Sequence, residues 1–272
     1  MGSVIVVTDS SACFPAGPSP RPGLRVVPIM IHLASGDIGA DWAVAPSLIY
    51  RALARDEVVK SSAPSAMEYL EAIEEGGGGG DVLVITPAAE LTVMYRNACL
   101  ASDLSLLRTR VMDSRTAAAA HGLVVESALA AARSGASLDE VELAAADASR
   151  RVELVAALDG LEHVTRSGRV PPVALRLAEH LGVRPVFRLH DGTIERLGVP
   201  RSEQAALHRI SREGRSRGLS TATRRIVFHA GCPERAAALA DLLGGADQIA
   251  EFSPAMGIHT GPGVVGVAWL RA

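Results

Sequence analysis

The side chains of this chain that could do chemistry are hydroxyls, one histidine and an arginine, gathered in a few short segments. Gly257-Ile258-His259-Thr260-Gly261-Pro262-Gly263 holds an ionisable donor and a hydroxyl donor on a tight backbone path that three glycines and a proline impose. It leads into Val264-Val265-Gly266-Val267-Ala268-Trp269-Leu270, which reads as a buried strand. A rigid turn at the mouth of a buried strand is a ligand-binding position; an ordinary turn with His259 satisfied by backbone is the plain alternative. Ser61 and Ser62, in Lys60-Ser61-Ser62-Ala63-Pro64-Ser65, stand just ahead of a helix start marked by the capping box Ser65-Ala66-Met67-Glu68. Hydroxyls and free backbone N–H groups there can hold an anion together. Thr92 is a second hydroxyl at a predicted helix start, and Arg169 lies in the loop Ser167-Gly168-Arg169-Val170. Asp9-Ser10 and Asp113-Ser114 close two short β-branched runs, where α/β sheets bind ligands or where an Asx turn simply ends a strand.

These residues admit two chemistries. A serine or threonine nucleophile with His259 as base would make a small-molecule hydrolase or transferase. The same groups would also clamp a carboxylate or phosphate. No base-orienting acid stands at a telling spacing, which favours the clamp. Gly261-Pro262-Gly263-Val264-Val265-Gly266 fits the dinucleotide fingerprint by letter, but strand formers follow it where a helix is required. There is no Walker A loop or HExxH pair, and no GxSxG at a strand-to-helix elbow. Neither an ATP site nor a metal or other cofactor is expected.

The elements that must position these groups follow from periodicity. In the first half, strand-like runs at 4–7, 24–31, 81–86 and 110–114 alternate with helical patterns after Pro46, at 66–75, from Leu91-Thr92 onward, at 116–133 and at 138–150. Such alternation predicts a parallel sheet covered on both faces. A strand at 152–158 precedes a change of character. Pro172 suits the first turn of a further helix, to residue 181. Asp191-Gly192 between two apolar runs predicts an antiparallel hairpin; a helix at 202–217, a strand at 225–229, a helix at 233–243 and a strand at 248–252 follow. The expected fold class is therefore α/β with two domains: a parallel-sheet N-terminal domain, 1–158, and a C-terminal domain, 159–272, with a mixed sheet.

Bulk properties agree. The chain has 272 residues, 48% of them hydrophobic and 21% charged but only 3% aromatic, so its core must be mostly aliphatic. A formal charge of −3 gives no reason to expect a nucleic-acid partner. Three widely spaced cysteines read as free thiols in a reducing compartment. Met1-Gly2-Ser3-Val4 lacks the basic region of a signal peptide, and no apolar run has membrane-spanning length, so a cytoplasmic location is expected.

Five segments, in order, resemble one family. Val7-Thr8-Asp9-Ser10-Ser11 looks like its N-terminal signature, Ser61-Ser62-Ala63-Pro64-Ser65 like its Thr-Ser-Gln-Pro-Ser, and Val111-Met112-Asp113-Ser114 like its Val-Ile-Asp-Ser. Ser167-Gly168-Arg169-Val170 resembles Gly-Gly-Arg-Ile, and 259–263 the C-terminal signature. The family is DegV, the bacterial fatty-acid-binding proteins. The resemblance implies a long-chain fatty acid held between two α/β domains. It also implies a non-catalytic carrier role, in which a partner fatty acid kinase phosphorylates the bound carboxylate to an acyl phosphate. By position it implies Ser61, Ser62, Thr92, His259 and Arg169 at the carboxylate and Arg201 at the kinase contact. Where the family has Ser-Ser-x-Leu-Ser-Gly-Thr-Tyr this chain has Ala88-Ala89-Glu90-Leu91-Thr92-Val93-Met94-Tyr95, which keeps one hydroxyl and adds bulk.

Overall fold

The computed structural model describes residues 4–14, 21–36, 38–77, 80–168 and 182–272. Arg169, and the helix expected from Pro172 to residue 181, lie outside the described residues.

The first half builds the expected parallel sheet. Strands β1 (Ile5–Asp9), β2 (Leu24–Val27), β6 (Val82–Thr86) and β7 (Thr109–Asp113) order as β2-β1-β6-β7, every neighbouring pair parallel. β1 and β6 are almost wholly buried, as continuous β-branched and leucine runs in a two-sided sheet should be. Helices α2 (Ala66–Gly77) and α3 (Met94–Leu104) pack together beside this sheet, and α4 (Ala118–Arg133) packs against α5 (Leu138–Arg151). Both predicted capping boxes form. Glu68 accepts from the Ser65 backbone N–H at 2.7 Å, and Glu140 from the Ser137 N–H at 2.8 Å.

One part of the first half differs from expectation. The run 24–31 is two strands, because the chain leaves the parallel sheet after Val27 and enters a second, antiparallel one as β3 (Met30–His32). There β3 lies between β4 (Ile38–Ala40) and β5 (Lys60–Ser62). Ser61 and Ser62 therefore sit on a strand, not in a pre-helix loop. Their side chains must point to opposite faces.

The second half forms a six-stranded mixed sheet in the order β10-β9-β8-β13-β11-β12. Its strands are β8 (Val152–Ala157), β9 (Val186–His190), β10 (Thr193–Gly198), β11 (Arg224–His229), β12 (Gln248–Glu251) and β13 (Val265–Leu270). All neighbours are antiparallel except β11 and β12. β8, which precedes the change of character near 158, hydrogen-bonds into this sheet. Asp191 and Gly192 turn the β9–β10 hairpin with φ of 48° and 70°, the positive pair that a type I′ turn requires. One face, bearing Val155, Ala157, Val186 and Val267, packs under α7 (Glu203–Ser216) and α8 (Pro233–Leu243). The other face, through Leu154, Phe187, Leu189 and Phe228, joins a core shared with α4 and β1. α4 touches β1 as well as β8, β11 and β13, so it links the two sheets. Among the described residues no helix is long and apolar enough to cross a membrane.

Candidate functional site

Strand alternation brings Leu154 and Ala156 of β8, and Phe187 and Leu189 of β9, to the face opposite the α7–α8 layer. These residues line a cavity of about 220 Å³. From the first half, Ser61 on β5 and Ala63 just after it, Pro87, Leu91 and Thr92 after β6, and Ala117 and Ala118 at the start of α4 add to the wall. Among the described residues the polar ones at the wall are Ser11, Ser61, Thr92, Ser167, Arg188, His259 and Thr260; the rest of that lining is apolar, with no carboxylate.

His259 reaches this wall from a helix. Pro254–Thr260 forms a short α9, with Pro254 in its first turn and Gly261 just past its end, so the first half of the expected glycine turn is helical. Gly261 sits at φ +77°, and the His163 ring covers it so closely that a Cβ there would come within 2.2 Å of the ring. At the end of α9, His259 Nε2 lies 2.8 Å from Ser61 Oγ. The Thr260 hydroxyl is spent on the Met256 carbonyl at 3.0 Å. Thr92 stands two residues before α3, its Oγ1 3.4 Å from the Met94 backbone N–H that it accepts from. α3 starts later than the sequence predicts, so Thr92 is left in the loop on the cavity wall.

Ser61, Thr92 and His259 thus line one cavity. Ser62 does not: it faces outward, with its Oγ 2.9 Å from His32 Nε2. Arg201 is exposed ahead of α7 and does not line the cavity either. Ser167 reaches the wall without having been singled out in the sequence; Arg188 also borders it, but between Phe187 and Leu189 its side chain turns to the opposite face, where Glu153 holds it at 2.7 Å. Among the described residues no group of three or more His, Cys, Asp or Glu could hold a metal ion.

The Asp-Ser segments at the ends of β1 and β7 serve the frame. Asp9 Oδ1 accepts from the Ser11 N–H at 2.9 Å and caps a 3-10 turn. Ser10 Oγ accepts from the Ile29 N–H at 3.0 Å. Behind them lies a network that the sequence did not announce. The Thr8 hydroxyl donates to the Ile85 carbonyl at 2.9 Å, so the His121 Nε2–H donates to Thr8 Oγ1, also at 2.9 Å. His121 Nδ1 is then the acceptor for the Ser114 hydroxyl at 2.9 Å. Full burial pushes the His121 pKa down to about 3, which keeps this ring neutral. Burial also raises Asp9 to about 6, against the opposing pull of its bonds to Ser11.

The three sheets of this α/β fold surround a mainly apolar cavity with a hydroxyl–imidazole pair on its wall, a setting whose chemistry suits an amphipathic molecule. The family model for DegV, described as a family of uncharacterised proteins, matches residues 3–272, and the chain belongs to the DegV family. A DegV domain-containing protein of Streptomyces coelicolor is 29% identical over 273 residues, covering 97% of each chain. One from Mycobacterium tuberculosis is also 29% identical, covering 97% of this chain and 96% of the relative. Among solved structures, a fatty-acid-binding DegV family protein from Thermus thermophilus superposes with a TM-score of 0.90 at 25% identity, covering 99% of this chain and 100% of that one. A DegV family protein from Corynebacterium glutamicum shares the fold, with a TM-score of 0.84 at 23% identity over 100% of this chain and 99% of that one.

Proposed function

We propose that this chain binds a long-chain fatty acid in the cavity between its sheets, with the carboxylate at Ser61, His259 and Thr92. The observation that carries the reading is the Ser61–His259 pair, 2.8 Å apart, opening on a wall that is otherwise mostly apolar. A carboxylate takes up hydroxyl and imidazole N–H donors. The alkyl chain takes up Leu154, Phe187, Leu189 and Phe228. Burying about fifteen methylenes at roughly 0.8 kcal/mol each supplies on the order of 12 kcal/mol before ordering costs. The fatty-acid-binding Thermus relative, similar over the full length, supports the same ligand class.

The chain acts as a carrier in this reading. Making an acyl phosphate requires the carboxylate oxygen to attack the terminal phosphorus of a nucleoside triphosphate, breaking its bond to the bridging oxygen and releasing the nucleoside diphosphate, and the sequence carries no phosphate-cradling loop. A separate fatty acid kinase supplies that site, and exposed Arg201 is its contact point. The fatty acid is the ligand, with no further cofactor. A second reading rests on the same pair, since a serine 2.8 Å from a histidine nitrogen could also be a nucleophile and its base. Two measurements separate them. Mass spectrometry of solvent extracts from protein purified from bacteria should find stoichiometric fatty acid, and a serine-reactive phosphonate should fail to label Ser61. Repeated extracts without lipid reject the carrier, and labelling at Ser61 establishes the nucleophile.

A further inference from the structure

Among the described residues, Phe252 alone lines two cavities. On one side lies the cavity of about 220 Å³ that holds the Ser61–His259 pair. On the other is a second cavity, of about 290 Å³, bounded by Cys13 and Phe14 after β1, the segment after β4, and the edge strand β12. Both belong to one apolar region. Cys13 and Ala250 from the second cavity, and Leu154 and Phe228 from the first, fall with Phe252 in a single buried cluster, against which Phe14 and Val26 pack. The Asp41 carboxylate and the Ser253 hydroxyl, although their residues border the second cavity, have no exposed surface, so neither presents a polar atom to it.

The Phe252 ring is held firmly between the two spaces. It is 4% exposed and stacks on Phe228, with centroids 5.1 Å apart and planes 10° from parallel. Phe228 is in turn seated over Gly266, where even a Cβ would come 2.5 Å from its ring. The Phe252 backbone N–H donates to the His229 carbonyl at 2.8 Å, which fixes the end of β12. Phe252 precedes α9 and His259 lies near its far end, so the ring and the head-group pair are separated by a helix about 10 Å long. The ring therefore borders the alkyl chain rather than the carboxylate. We propose that Phe252 determines chain-length specificity: its ring closes the ligand cavity against the second one and so sets the longest acyl chain that fits. This rests on the fatty-acid reading above. Without the ring, the second cavity would receive the methylenes that the first cannot hold.

The test is competition of laurate, palmitate, stearate and icosanoate against a fluorescent fatty acid on the full-length protein. For the parent, affinity should rise along the series and then stop rising. Each newly buried methylene is worth roughly fourfold in affinity, so Phe252→Ala should raise the icosanoate-to-palmitate affinity ratio by about tenfold or more. Adding Val26→Phe to that variant fills the second cavity from a residue that does not line the first, and should return the ratio to the parent's. Should Phe252→Ala not fold, Phe252→Leu should move the ratio in the same direction by a smaller factor. A ratio unchanged by truncation, or one that stays raised when Val26→Phe is added, overturns the role of Phe252 and leaves the fatty-acid reading standing on the parent's own binding. A parent that binds none of the four acids overturns that reading, and the role of Phe252 with it.

Discussion

Ser61→Ala tests the head-group assignment. The substitution removes a hydroxyl that lies 2.8 Å from His259 Nε2 on the cavity wall and leaves β5 intact, since alanine keeps the backbone pairing with β3. A hydrogen bond to a charged group is worth about 1.5–3 kcal/mol, against roughly 0.5–1.5 kcal/mol for a neutral one. Palmitate, bound through its carboxylate, should therefore lose roughly ten- to a hundredfold in affinity, while hexadecanol, with the same chain and a neutral head, loses roughly two- to tenfold. The acid-to-alcohol preference should fall by about fivefold or more. Competition against a fluorescent fatty acid measures both ligands on one protein. His259→Ala should give a similar shift. The double variant should fall short of the sum, because the two side chains share one contact. Ser62→Ala is the internal control: its hydroxyl points away, to His32, and the preference should not move. An equal loss for palmitate and hexadecanol would show that Ser61 shapes the cavity without meeting the carboxylate, and a matching effect from Ser62 would overturn the geometry.

Three further outcomes are expected. Arg201→Ala should leave palmitate affinity unchanged and slow acyl phosphate formation when a fatty acid kinase is added; equal loss of both would place Arg201 at the ligand. Asp9 is raised from 3.8 to about 6, so the folded state holds more protons than the unfolded state between those values and loses stability as pH rises through them. Asp9→Asn removes that slope. Urea unfolding should show the variant gaining about 3 kcal/mol relative to the parent from below pH 3.8 to above pH 6, and a pH-independent difference would refute it. Gly266→Ala would put a Cβ 2.5 Å from the Phe228 ring and 2.7 Å from the Val155 carbonyl oxygen, which cannot give way. It should destabilise by about 1–3 kcal/mol and disturb the Phe228–Phe252 stack, centroids 5.1 Å apart; unchanged unfolding would count against that packing.

Much of this architecture is written locally. The hairpin at Asp191-Gly192, the two capping boxes and the β-branched runs of the parallel sheet each depend on neighbouring residues, so sequence order reveals them. β5 was illegible for the opposite reason. Lys60-Ser61-Ser62 has no apolar alternation and is a strand only because β3 offers it an edge. Had its strand character been evident, Ser61 and Ser62 could not have shared a site. His259 looked like part of a turn because glycines at 257, 261 and 263 obscured a helix that Pro254 begins. The Thr8–His121–Ser114 network joins positions far apart in sequence, and nothing in the residues around His121 signals it. Of the residues assigned to the carboxylate, Ser61, Thr92 and His259 come to one wall, Ser62 turns away, and Arg169 lies outside the described residues.

The placement of β13 bears on how the molecule is made. Latest of the strands in sequence, it lies in the interior of its sheet, between β8 and β11. During synthesis β8, β9 and β10 can pair as they emerge, and β11 and β12 can pair with one another. The two groups have no hydrogen-bonded connection until residues 265–270 arrive to join them. Until then β8 and β11 each present an unpaired edge, and both contribute to the wall of the cavity between the sheets through Leu154, Ala156 and Phe228. Such non-local closure is slow and leaves sticky intermediates. A nascent chain of this topology thus leaves both edges open to chaperones and proteases until β13 is inserted, and the cavity between the sheets can be closed only after that.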